Sequence, residues 1–257
     1  MRPALASADA RAELPRLGGM ARPNGVVIVS ERFWAFAGVD GSLAEGRMPR
    51  APALLQRLPL VRGLAKLVLA FAPLMRRSGP ARRLERTGIF AALVLPFALT
   101  PLSQTVALAA GFAVTFGLVG LLFRGRTLSL HGAEHRAIAA AERRELEAAW
   151  DGRARPSRFS LRCGTNFAAL AAPVTVAADR VLPLPGALWA PFAVTVLSLA
   201  LTMELWQLVQ ASSSRLARVA LVPGLGLQRL TTREPSLAET RIALTAVESV
   251  LRRSLQG

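Results

Sequence analysis

Tyrosine is absent from the 257 residues, cysteine and lysine occur once each (Cys163 and Lys66), and histidine occurs twice. A single cysteine excludes an intramolecular disulfide and suits a reducing compartment. Without tyrosine, and with aromatics at only 6%, the chain has little with which to stack bases, so no nucleic-acid partner is expected. Acids are scarce too: 16 Asp and Glu stand against 32 Lys and Arg, giving a formal net charge of +16. Residues 1–25 hold no apolar h-region, and no signal peptide is predicted.

What the chain has in quantity is apolar residues, 52% of the total, with a mean hydropathy of +0.38. That value and the positive charge conflict for a water-soluble domain and agree for a membrane protein with basic loops. Residues 88–123 are 36 consecutive positions without a charge. Spans are predicted at about 88–103, 105–123, 164–180 and 187–209. Basic blocks at 47–86, 124–162 and 215–233 put both termini and the central segment on the cytoplasmic side. The expected fold is an all-α polytopic membrane protein of about four transmembrane helices in a bacterial cytoplasmic membrane. To these are added an amphipathic or re-entrant helix around Leu58–Phe71, a His-bearing helix in the cytoplasmic segment 124–162, and a possible short β-hairpin near 18–38. Residues 1–17 read as a disordered tail and 18–257 as one membrane domain, ending in a cytoplasmic loop and helix at 211–257. Ser236 and Glu239 form a capping box for that last helix.

The two histidines lie in His131-Gly132-Ala133-Glu134-His135. On a helix, positions i, i+3 and i+4 share a face, so both imidazoles and the Glu134 carboxylate turn the same way. This is the H-x-x-E-H arrangement of inverted zinc peptidases, with two imidazoles as metal ligands and the carboxylate as base. On the same wheel Arg136, Arg143, Arg144 and Glu147 mark a solvated face. The plain alternative is a surface helix that happens to carry two histidines. Catalytic zinc takes three protein ligands, so a third donor is needed. Glu204, an acid inside an apolar helix, is the favoured choice, although it can equally pair with Arg215, Arg218 or an interfacial arginine. Cys163 is the other candidate, as a thiolate ligand or as an inert buried thiol. Arg229 and Arg233 suit an anionic headgroup or phosphate, or simply anchor their loop to anionic lipid.

These pieces, taken in order, resemble the YqhQ-like family of bacterial membrane proteins, described as predicted metal-dependent enzymes. The stretches that carry the likeness are Gly18-Gly19 to Gly25, the Arg62-Gly63 helix, His131 to His135, Arg162-Cys163-Gly164-Thr165, and Leu227-Gln228-Arg229-Leu230-Thr231-Thr232-Arg233-Glu234-Pro235. The resemblance implies cofactor or ligand contacts at Arg162, Gln228, Arg229 and Arg233. This chain departs from the family pattern at Asn24, where relatives tend to have an acid, and at Ser160-Leu161, where they tend to have His-Pro. The expected function is metal-dependent hydrolysis, with zinc as the divalent ion, of a peptide or lipid-linked substrate. The alternative is a non-enzymatic membrane scaffold or a lipid- or protein-handling factor whose His/Glu cluster is a structural network. Membrane lipids are expected partners, and a homo-oligomer or a membrane-protein partner is left open.

Overall fold

In the computed structural model, residues 2–75, 86–87, 106, 113, 125–181 and 190–256 are described. Helix α1 (Arg2–Asp9) precedes four strands, β1 (Gly18–Arg22), β2 (Gly25–Val29), β3 (Phe33–Gly38) and β4 (Leu43–Arg47). Helices follow: α2 (Ala53–Arg57), α3 (Val61–Ala70), α4 (Ala72–Met75), α5 (Arg126–Arg143) and α6 (Leu146–Trp150). The rest are α7 (Gly164–Val181), α8 (Ala190–Ala211), α9 (Arg215–Ala220), α10 (Val222–Thr231) and α11 (Leu237–Gln256). The chain divides into two compact units. The first comprises Met1–Pro49, Leu122–Cys163 and Leu225–Gly257, and the second Arg50–Leu121 and Gly164–Gly224.

The first unit is built on an antiparallel meander in the order β1-β2-β3-β4. Its reversals follow from turn chemistry. Pro23-Asn24 links β1 to β2 with Arg22 opposite Gly25, and a Cβ at Gly25 would lie 2.2 Å from the Ala37 carbonyl oxygen. Between β3 and β4, Gly41 takes a φ of +83°, and Asp40 Oδ1 accepts the Ser42 N–H at 3.0 Å. Cross-strand pairs Val26–Ala37 and Ile28–Ala35 give the sheet an apolar face of small and branched side chains. On it pack α5, through Leu130, Ala133 and Ala137, and α11, through Leu244, Val247 and Val250. Each of these larger side chains contributes about 1.5–3 kcal/mol by leaving water. The Ser236–Glu239 capping box starts α11: Glu239 Oε2 accepts the Ser236 N–H at 2.9 Å, and Ser236 Oγ accepts the Glu239 N–H at 3.2 Å.

In the second unit α3 lies on α8, where Gly63 lets the helices meet: a Cβ there would sit 2.6 Å from Met203 Cβ. Glu204 accepts from the Arg62 guanidinium (Nε to Oε1 2.9 Å) and from the Leu60 N–H at 3.1 Å, and Lys66 Nζ donates to Gln207 Oε1 at 3.3 Å. α7 packs beside α8, with Phe167 edge-on to Trp206 at 6.2 Å.

These facts correct the expected fold. The protein is not all-α and polytopic: it carries a four-stranded sheet, and among the described residues one helix, Phe192–Ala211, is long and apolar enough to cross a membrane. The spans expected at 88–103 and 105–123 lie outside the described residues, apart from isolated positions. The 164–180 stretch is a helix, but Asn166, Pro173, Asp179 and Arg180 leave it too polar to count as a span. The hairpin expected near 18–38 is part of a larger sheet, because the Asp40-Gly41 turn adds a fourth strand. Residues 1–17 contain α1, whose Leu5 and Ala8 are buried and whose Asp9 carboxylate caps the first N–H groups of α6 (Leu146 and Glu147, both 3.0 Å).

Candidate metal centre

His131 and His135 lie on α5, the central helix of the first unit, and Cys163 lies at the end of the segment that follows α6. One donor atom from each falls within 4.8 Å of the others, and all three residues are buried. His131 Nε2 is 3.3 Å from Cys163 Sγ. In a tetrahedral zinc site, bonds of about 2.0–2.3 Å place N and S donors roughly 3.6 Å apart, so this pair is already at ligand spacing.

The backbone orients both rings. His131 Nδ1–H donates to the Thr231 carbonyl at 2.8 Å, and His135 Nδ1–H donates to the Arg158 carbonyl at 2.7 Å. A carbonyl only accepts, which sets the tautomer and leaves the lone pair of each ring on Nε2. Thr231 closes α10, where carbonyls lack helical partners, and one of them is used here. The Arg158 carbonyl is steadied by two tethers. Gln228, fully buried, accepts the Ser160 N–H at 2.9 Å and donates to the Ser160 carbonyl at 2.8 Å. The Arg158 guanidinium in turn donates to the Thr232 carbonyl at 2.6 Å. Gly132 makes room for this loop, since a Cβ there would be 2.2 Å from the Arg233 carbonyl oxygen.

Burial sets the protonation states. It lowers the His131 pKa, and it lowers that of His135 to about 4 with help from the neighbouring His131, so both rings are neutral ligands near pH 7. His135 Nε2 is buried with no hydrogen-bond partner among the described residues, an unmet need that a metal ion would satisfy. The donor set therefore fits a divalent ion.

Glu134 turns to a different neighbour. Its carboxyl sits under β1, where a Cβ at Gly19 would lie 2.8 Å from its Oε1, and it accepts the Ala21 N–H. Complete burial pushes its pKa up to about 8.

Other candidates go elsewhere. Glu204 is paired with Arg62 and takes no part in the His131–His135–Cys163 cluster. Arg162 pairs with Glu142 at 2.6 Å on the surface. Arg229 is exposed, and Arg233 is exposed while its N–H donates to the Leu128 carbonyl at 2.9 Å. Gln228 holds the 158–163 loop. Arg136, expected on a solvated face, is buried: its guanidinium donates to the Pro156 carbonyl at 3.1 Å and to Glu234 at 2.5 Å, because α5 is covered all round from Leu130 to Ile138. The two carbonyls that orient the rings had no side-chain signature to betray them. Asn24 sits in the β1–β2 turn, and Ser160 bonds Gln228, so neither departure from the family pattern removes a member of the cluster.

No curated protein and no solved structure matches the chain. A family model does, over residues 102–253, which is more than half of the sequence and takes in both histidines and Cys163. The chain therefore belongs to the family described as "Protein of unknown function (DUF1385)".

Proposed function

We propose that this protein binds a divalent metal ion through His131, His135 and Cys163 and uses it to hydrolyse a peptide or lipid-linked substrate at the cytoplasmic face of a bacterial membrane. The observation that carries the reading is the pair of Nδ1–H to carbonyl bonds, which aim two neutral Nε2 lone pairs toward a buried thiol. Two imidazoles and a thiolate favour zinc. Zinc held by these three residues would supply Lewis acidity to a bound substrate or water. Glu134, the base expected from the H-x-x-E-H pattern, adjoins a ligand in the chain, while its carboxyl lies under β1 and accepts the Ala21 N–H. The resemblance to YqhQ-like proteins, predicted to be metal-dependent, supports the same reading.

The assembly of the first unit from three chain segments supports a reading in which both termini and the His helix share one side of a membrane. The arginine-rich blocks at 47–86, 124–162 and 215–233 favour the cytoplasmic side. The helix Phe192–Ala211 supports membrane association.

A second reading has its own observation. Arg136, Arg158, Gln228 and Glu234 join the same loops around the histidines, as a structural polar network would. Metal content separates the two. Full-length protein purified in detergent is expected to carry about one zinc per chain by mass spectrometry. His131→Ala/His135→Ala is expected to carry none and Cys163→Ser less. Wild type without metal overturns the enzyme reading and leaves the scaffold.

A further inference from the structure

The second unit combines an apolar groove with charges that have no partner among the described residues. Between α2 and α3 lies an open groove of about 350 Å³ lined by Leu55, Leu64, Val68, Leu69 and Pro52 together with Arg50. Arg50 and Arg57 are exposed, and neither makes an ion pair or hydrogen bond among the described residues. No acid lies between Arg47 and Arg83, a stretch with nine basic residues counting both ends. Around the groove Leu54 is 68% and Val68 70% exposed, far more apolar surface than water favours on so short a segment.

α3 is fastened to Met203, Glu204 and Gln207, four to eight residues before α8 ends at Ala211. At 1.5 Å per residue this is roughly 6–12 Å in from the helix end, the depth at which headgroups meet acyl chains. We infer that the groove between α2 and α3 takes one acyl chain of an anionic phospholipid, with Arg50, which lines the groove, on its phosphate and Arg57, at the end of α2, adding positive charge nearby. This rests on membrane association and is independent of the metal.

The test uses delipidated full-length protein in neutral detergent, titrated with phosphatidylglycerol, phosphatidylcholine or inorganic phosphate, and native mass spectrometry to read the bound species. Phosphatidylglycerol is expected to bind at least tenfold more tightly than phosphatidylcholine. The pair Arg50→Gln/Arg57→Gln, at exposed positions, brings the two lipids to parity. Ala65→Trp, which fills the groove, weakens both at least tenfold while the metal content stays unchanged. A lipid preference that survives the arginine replacements overturns the proposal. So does lipid binding by Ala65→Trp at wild-type strength. Inorganic phosphate that competes fully with phosphatidylglycerol would reveal a surface anion site in place of a lipid site.

Discussion

In the first unit His131, Glu134, His135, Arg136 and Gln228 are all more than nine-tenths buried, and Leu244, Val247 and Val250 belong to the same unit's apolar core. In the second, Val68, Val176, Val181 and Leu208 are each more than three-fifths exposed, and the charged pairs gather near the end of α8. The first unit holds a core in which buried side chains such as Arg136 and Gln228 are hydrogen-bonded. The other shows apolar side chains outward, which is stable where the surroundings are lipid. The candidate metal centre sits in the unit that can exclude water and still fix dipoles.

The contrast can be broken by placing the same acid in both units. Leu244→Asp puts an unpartnered carboxyl into the first core and is expected to remove about 4 kcal/mol or more of stability, read by chemical denaturation. Leu201→Asp, on the exposed side of α8, is expected to cost about 3 kcal/mol of insertion and to move protein out of the carbonate-resistant membrane fraction. If α8 faced water, that substitution would change stability by no more than about 0.5 kcal/mol.

Glu134→Gln sharpens the comparison through pH. The folded pKa of about 8 lies above the ordinary 4.5, so the native state keeps a proton that the unfolded chain loses. The stability from this group is complete below pH 4.5 and is lost as pH rises through 8. In chelator-treated protein the glutamine variant should therefore gain on wild type as pH rises, by on the order of 3 kcal/mol at pH 7. Thermal melts at pH 5 and pH 8 that shift equally would contradict it. His135 acts in the other direction. Its folded pKa of about 4 lies below 6.5, so stability falls as the pH drops through that window. The smallest effect is expected from Glu204→Gln, which loosens the Leu60 turn and speeds proteolysis between Leu58 and Arg62 without changing metal content.

Spacing alone marked the two histidines, since four residues apart on a helix is a geometric fact. Cys163 was visible as a candidate by its chemistry. Glu204 misled because its partner, Arg62, lies 142 positions away, and no local pattern records such a pairing. Arg136 misled because wheel arguments assume one solvated face, whereas α5 is buried on every side from Leu130 to Ile138 and exposed only toward its ends, where Arg143 lies as expected. Half the sheet was legible in the Val26–Val29 run after Asn24-Gly25. The rest was hidden because β4 is polar and alternates between exposed and half-buried positions, as an edge strand does.

The interleaving of the first unit also sets an order in time. β2 and β3 leave the ribosome early, yet α11, which covers their apolar face, begins about 200 residues later. At about 5–20 residues per second the sheet waits roughly 10–40 s for its cover. Throughout that interval the whole of the second unit is being made. Thr231, whose carbonyl orients His131, is made after nearly all of the second unit, so the candidate metal centre is assembled late.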